Sequence, residues 1–216
     1  MDKNLKEQTE LAGFRLMSYG FLQSAFSYPD DKIYRNISGS PLKFLKEKDE
    51  RFEFFGYIPP KDDMEVVYTS YFDSIYKKDG CSLREGEYLE EKSGISNLLL
   101  ELKGFYKNFG LNLPLQELPD FIGVEFEFMQ YLSYLYLKCI EGGDIEKIPS
   151  VLNAQNDFLN RHLHAFVINV KDKLSGFPGL KFYSQVAGFA QDFIETDMQI
   201  LEDEKAAFLE KTLPVN

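Results

Sequence analysis

The chain has 216 residues, 44% of them hydrophobic, with 20 Phe, 13 Tyr and no Trp, and a formal net charge of −11. That much apolar material supports one sizeable core or two small ones and excludes a disordered chain. The acidic balance, with a sequence pI of about 4.8, repels nucleic-acid backbones and anionic membranes and attracts a basic peptide, although the same surface serves solubility alone.

In chain order, the N-terminal stretch MDKNLKEQTE is charged and has no apolar signal core. No run of about 18 apolar residues follows, so a soluble cytoplasmic protein with no stable membrane insertion is expected. From Leu5 to Phe26, residues Leu11, Phe14, Ser18, Phe21, Leu22 and Ala25 keep the rhythm of one buried helical face. Tyr28-Pro29-Asp30-Asp31 closes that helix. Shorter helices are predicted over 31–38 and 42–55, ended by Pro59-Pro60, and another over 62–75 carrying Val66, Val67, Tyr71 and Phe72.

Residues 77–94 (KKDGCSLREGEYLEEKSG) have no period and read as a long loop, functional or mobile. Helical rhythm returns over 95–109, Gly110 stops it, and LNLPLQELP forms a proline-bearing linker near 110–120. Three longer helices are predicted over 121–141, 151–174 and 180–209, separated by Gly142-Gly143 and by Gly176, Pro178 and Gly179. The expected fold is all-α, a single-domain bundle of roughly eight to ten helices spanning 1–216.

On the helix from Phe121, Glu127, Gln130, Tyr134, Lys138 and Glu141 share a polar stripe, whereas Glu125 lies among Ile122, Met129, Leu132 and Tyr136. A carboxylate on an apolar face must be paired, hydrogen-bonded or neutral. Arg15 or Tyr19 is the expected structural partner of Glu125, with ligand binding the sharper alternative. Glu117, Pro119 and Asp120 sit on a stiffened loop before this helix. Asp120 reads either as its N-cap or as an acceptor for a client arginine.

His162 and His164, two apart on a helix, point in nearly opposite directions and cannot share a metal, so no metal site is expected. His162 joins an apolar face as a core histidine. No hydrolase, nucleotide or metalloprotease motif occurs. Two cysteines, Cys81 and Cys139, give neither a disulfide framework nor a zinc set. A helical hydrolase or small-molecule-binding domain using Cys81, or the Glu85/Glu87 pair, remains the alternative to a binding protein.

ELPDFIGVEFEFMQYL (117–132) resembles the signature of the TorD/DmsD/NarJ family of redox-enzyme maturation chaperones, through Glu117, Pro119, Asp120, Glu125, Glu127, Phe128 and Met129. VYTSYF (67–72), CSLREGEYL (81–89), LKGFYKNFGL (102–111), FLNRHLHAFV and FYSQVAGFAQDFI are similar to further family segments in the same order. The loop is most like that of chaperones for dimethyl-sulfoxide-reductase type II molybdoenzymes. Departures are Phe121 where the family usually has His, Phe166 where Trp is frequent, and Arg84 beside Glu85.

The resemblance implies no catalysis and no cofactor. It implies a chaperone that binds the apo-form catalytic subunit of a molybdopterin oxidoreductase, or its twin-arginine leader, and assists cofactor insertion before export. A monomer or a helix-exchanged dimer fits the family, and a permanent accessory subunit is a third reading. Asp120, Glu117 and Phe121 are expected to form one wall of the peptide site and Tyr71, Phe72, Glu85 and Tyr88 the other. Glu125, Pro119 and Glu127 are expected to support it.

Overall fold

The computed structural model describes residues 3–72 and 80–212. The predicted helix end at 73–75 and the first residues of the predicted loop, 77–79, lie outside them. The fold is all-α: α1 (Lys3–Ala25), α2 (Asp31–Ser38), α3 (Ser40–Lys48), α4 (Lys61–Tyr71), α5 (Ile95–Asn108), α6 (Ile122–Gly142), α7 (Ile148–Phe158), α8 (His164–Ser175) and α9 (Lys181–Thr212), with short 3-10 turns between several of them. Among the described residues the sole β-type pairing is an isolated antiparallel bridge between Arg84 and Phe121.

Local chemistry explains most of the boundaries. Asp30 caps α2 by accepting from the Ile33 amide at 2.8 Å. α5 gives way to Gly110 at φ +77°, and α6 to Gly143 at φ +73°, left-handed positions that suit glycine. The stretch predicted as one helix over 42–55 divides at Asp49, whose side chain accepts from the Arg51 amide and starts a 3-10 turn over Glu50–Phe55. The helix predicted from 151 starts at Ile148, with Pro149 in its first turn. A π turn over Leu159–Leu163 joins α7 to α8.

α1 packs along α6 at the centre, and α9 closes over α1, α7 and α8. The interior is aromatic. Phe26 stacks on Phe126 with ring centroids 5.9 Å apart, and Phe52 meets Phe189 at 4.3 Å. Each such ring contributes on the order of 1.5–3 kcal/mol by leaving water.

One polar clamp crosses this interior. Arg15 on α1 is fully buried and binds Asp197 and Glu204 on α9, the latter at 2.6 Å. Tyr19 donates to Asp197 at 2.7 Å, and Tyr136 on α6 donates to Glu204 at 2.8 Å. Arg15 and Tyr19 are therefore committed to α9. The expectation that either partners Glu125 is not met, because their polar groups are taken by Asp197 and Glu204 and neither Glu125 oxygen has a well-formed hydrogen bond.

Candidate functional site

The loop 80–94 and the linker 110–121 share no sequence period, yet they are tied together in front of α6. The Glu85 amide donates to Asp120 O, and the Ile122 amide to Leu83 O, each at 2.9 Å. Tyr106 on α5 donates its hydroxyl to Pro119 O at 2.7 Å, so buried Pro119 anchors the linker from behind. The residues that the sequence grouped into two facing walls are distributed by this arrangement over three places.

The first place is a buried acidic cluster. Asp120 is not the N-cap of α6: Phe121 holds that position with no side-chain cap bond. Asp120 instead turns into the protein. Its Oδ1 accepts from Arg84 Nε and Nη2 at 3.2 and 3.0 Å, and its Oδ2 from the Gly86 amide at 3.3 Å. A Cβ at position 86 would stand 3.0 Å from Oδ2, so glycine permits this approach. Glu85 also points inward, with His162 Nδ1 at 3.2 Å from Oε2. The His162 ring lies edge-on to Phe105 at 5.5 Å, and its Nε2 stands 3.3 Å from Glu101 Oε1, out of hydrogen-bond alignment. His162 is thus a core histidine, delivered inward by the π turn.

Glu125 completes this cluster. It is fully buried, as its place on the apolar face of α6 required, and neither oxygen has a well-formed hydrogen bond. Burial raises its pKa well above the carboxylate range, and the charges of Glu85 and Asp120 raise it further. Burial and the neighbouring charges both disfavour its ionised form. Tyr106 reports the same crowding: burial raises its hydroxyl first, then Glu125, Glu85 and Asp120. Among the described residues no group of His, Cys, Asp and Glu is disposed to hold a metal.

The second place is an acidic groove of about 290 Å³ between the linker and α6, lined by Glu117, Glu127, Leu113, Pro114, Val124 and Tyr131 among others. Both carboxylates are exposed, and neither has a salt-bridge partner among the described residues. Partial burial raises the Glu127 pKa, and the Glu117 charge adds to it, against Lys32. Two neighbouring carboxylates over an apolar floor, with Lys32 only partly offsetting them, have the chemistry that complements a guanidinium. Glu127, expected only as support, faces this groove.

The third place is an open aromatic groove of about 240 Å³ on the other side of the linker. Tyr28, Tyr68, Phe72, Leu118 and Phe121 surround Arg84 there. Leu118 is half-exposed, and nearby Leu115 is fully exposed.

Tyr71 and Tyr88 do not reach this groove. Tyr71 packs on Phe177 at 5.4 Å, and Tyr88 on Phe166 at 5.6 Å with its hydroxyl donated to Ser82 O at 2.7 Å. Of the expected second wall only Phe72 meets Phe121. Leu118, Tyr28 and Tyr68 were not anticipated. The exposed leucines of the linker were their one visible signal.

The hydrolase alternative gains no geometry. Cys81 is buried and its thiol is pushed up to about 11 by burial, with Tyr88 Oη at 3.7 Å and no histidine beside it. Glu85 faces inward while Glu87 is exposed and paired with Lys92 at 3.0 Å, so the two carboxylates do not converge.

Comparison with known proteins adds two findings. Residues 59–170, just over half of the chain, match the family model described as nitrate reductase delta subunit. Over 218 residues the chain is also 29% identical to the perchlorate reductase assembly chaperone protein of Dechloromonas aromatica (strain RCB), covering 92% of this chain and 94% of that protein.

Proposed function

Because the chain belongs to the nitrate reductase delta subunit family, within the TorD/NarJ type of maturation chaperones, we propose that it is an assembly chaperone. Its client is the apo-form catalytic subunit of a molybdopterin oxidoreductase, held through an arginine-bearing leader or N-terminal segment until the cofactor is inserted. It acts in the cytoplasm, before export, and catalyses no reaction of its own. A relative that assembles a reductase supports the client class.

The observation that carries the binding mode is the linker. Adjacent residues, Glu117 and Leu118, open onto an acidic groove on one side and an aromatic groove on the other. A segment with a cationic head and an apolar continuation is complementary to both. Its guanidinium takes the Glu117/Glu127 pair in forked geometry, and its apolar part buries against Phe72, Phe121 and Leu118 at about 25 cal/mol per Å². Phe121 supplies apolar area there, where a histidine would supply a polar contact.

Affinity capture from the native cytoplasm, with partners identified by mass spectrometry, tests this reading. The expected partner is a cofactor-free molybdenum reductase catalytic subunit, lost when the client's N-terminal segment is deleted. Stoichiometric recovery in the mature, cofactor-loaded enzyme would favour a permanent accessory subunit instead.

A further inference from the structure

Arg84 occupies an unusual position. It lines the aromatic groove with Phe72, Leu118 and Phe121, and its guanidinium covers Asp120. The Asp120 side chain is 1% exposed beneath an arginine side chain that is 32% exposed. We propose that Arg84 is an internal stand-in for a client arginine: Asp120 is a guanidinium-receiving carboxylate of the groove, and an incoming arginine takes Arg84's place on it. This rests on the reading of the protein as a receptor for an arginine-bearing segment: of two paired arginines, one takes the Glu117/Glu127 pair and the other Asp120.

Three features favour exchange over a fixed structural pair. First, both Arg84 nitrogens converge on one oxygen, Oδ1, while Oδ2 is held by the Gly86 amide. This is not the side-by-side pairing in which an arginine and a carboxylate each use two atoms. A guanidinium arriving from the open groove is not tethered at residue 84 and can approach Oδ1 at a better angle.

Second, the backbone around the pair is independently fixed. The Glu85 amide to Asp120 O and the Ile122 amide to Leu83 O bonds keep loop and linker together, and the Gly86 amide keeps the carboxylate in place. Arg84 can therefore swing outward by side-chain rotation alone. Third, the exchange conserves charge. Asp120 with no cation would be a buried uncompensated carboxylate, which is costly. Replacing one arginine by another avoids that state, whereas an ammonium offers a point charge in place of a planar fork.

The test uses the full chain with Arg84→Ala, with Arg84→Met as the second variant should the alanine not fold. A fluorescent leader peptide with paired arginines is titrated against each. The expected result is affinity higher than wild type by roughly 3- to 10-fold, because removing a competing occupant raises the competent fraction. Adding Asp120→Asn to the same chain should abolish the gain. Millimolar methylguanidinium should raise the melting temperature of Arg84→Ala more than methylammonium does, and neither should do so in the double variant.

A peptide that binds wild type but binds the Arg84 variants no better overturns the proposal and leaves the chaperone reading intact. Absence of a methylguanidinium effect also overturns it, since the vacated recess then takes no guanidinium. A peptide that binds no form of the protein sinks the proposal together with the binding mode on which it rests.

Discussion

Glu125 shows how a single residue is legible in kind and not in company. Its position among Ile122, Met129 and Leu132 announces burial, since α-helical geometry alone puts them on one face. Its neighbours, Glu85 and Asp120, arrive through a loop and a linker whose pairing no local pattern encodes. With its folded-state pKa above the ordinary value of 4.5, Glu125's stabilising share is complete below that pH and is lost as pH rises toward the raised value.

Glu125→Gln imitates the protonated acid and should leave stability near pH 7 within about 1 kcal/mol of native or slightly higher. As pH rises above 4.5 toward the raised value, the native protein should lose stability relative to this variant, by at most about 1.4 kcal/mol per pH unit. Thermal melts across that range check both, and parallel curves would mean that Glu125 is ionised in the fold. Cys81 offers a second check at this scale. With Cys139 replaced by Ser, a thiol reagent should modify native Cys81 no faster than the protein unfolds, because burial shields the thiol and raises its pKa. Rapid stoichiometric labelling would reopen the nucleophile reading.

Among the elements, helices were the legible part and connections the illegible one. The 3.6-residue rhythm of α1, α5, α6 and α9 survives because each buries a single apolar stripe. Where a polar residue interrupts such a stripe, the sequence states a problem without its solution. Arg15 stands between Ala12 and Tyr19 on the buried side of α1, and its partners, Asp197 and Glu204, lie on α9 at the far end of the chain. Arg15→Met should strand both carboxylates and cost about 3–5 kcal/mol, read by denaturant unfolding. A loss under about 1 kcal/mol would show that α9 is held by its apolar face alone.

Asp120 misled for the same reason. Its place just before α6 suggests a cap, but loop 80–94 brings it an arginine and an amide that outcompete the helix end. Asp120→Ala should accordingly lower the melting temperature as well as peptide affinity, which a surface contact would not do.

For the whole molecule, a net charge of −11 spread over an aromatic-rich helical bundle is compatible with a cationic partner, whose encounter rate would fall with added salt, and equally with solubility alone. The expected two walls became two grooves and a buried cluster, because successive residues of one extended linker face different ways. Glu117 and Leu118 differ by one position and serve different grooves.

The most direct measurement is fluorescence anisotropy of a labelled leader peptide with the native protein and with Glu117→Gln/Glu127→Gln, each with paired arginines and with both arginines changed to alanine. Native protein should bind the arginine peptide, weakening as salt rises. The double variant should lose about tenfold in affinity, as expected for about 1.4 kcal/mol of charge-assisted bonding, with an unchanged melting temperature. Equal affinity of the native protein for both peptides, or an undiminished affinity in the double variant, would contradict the account.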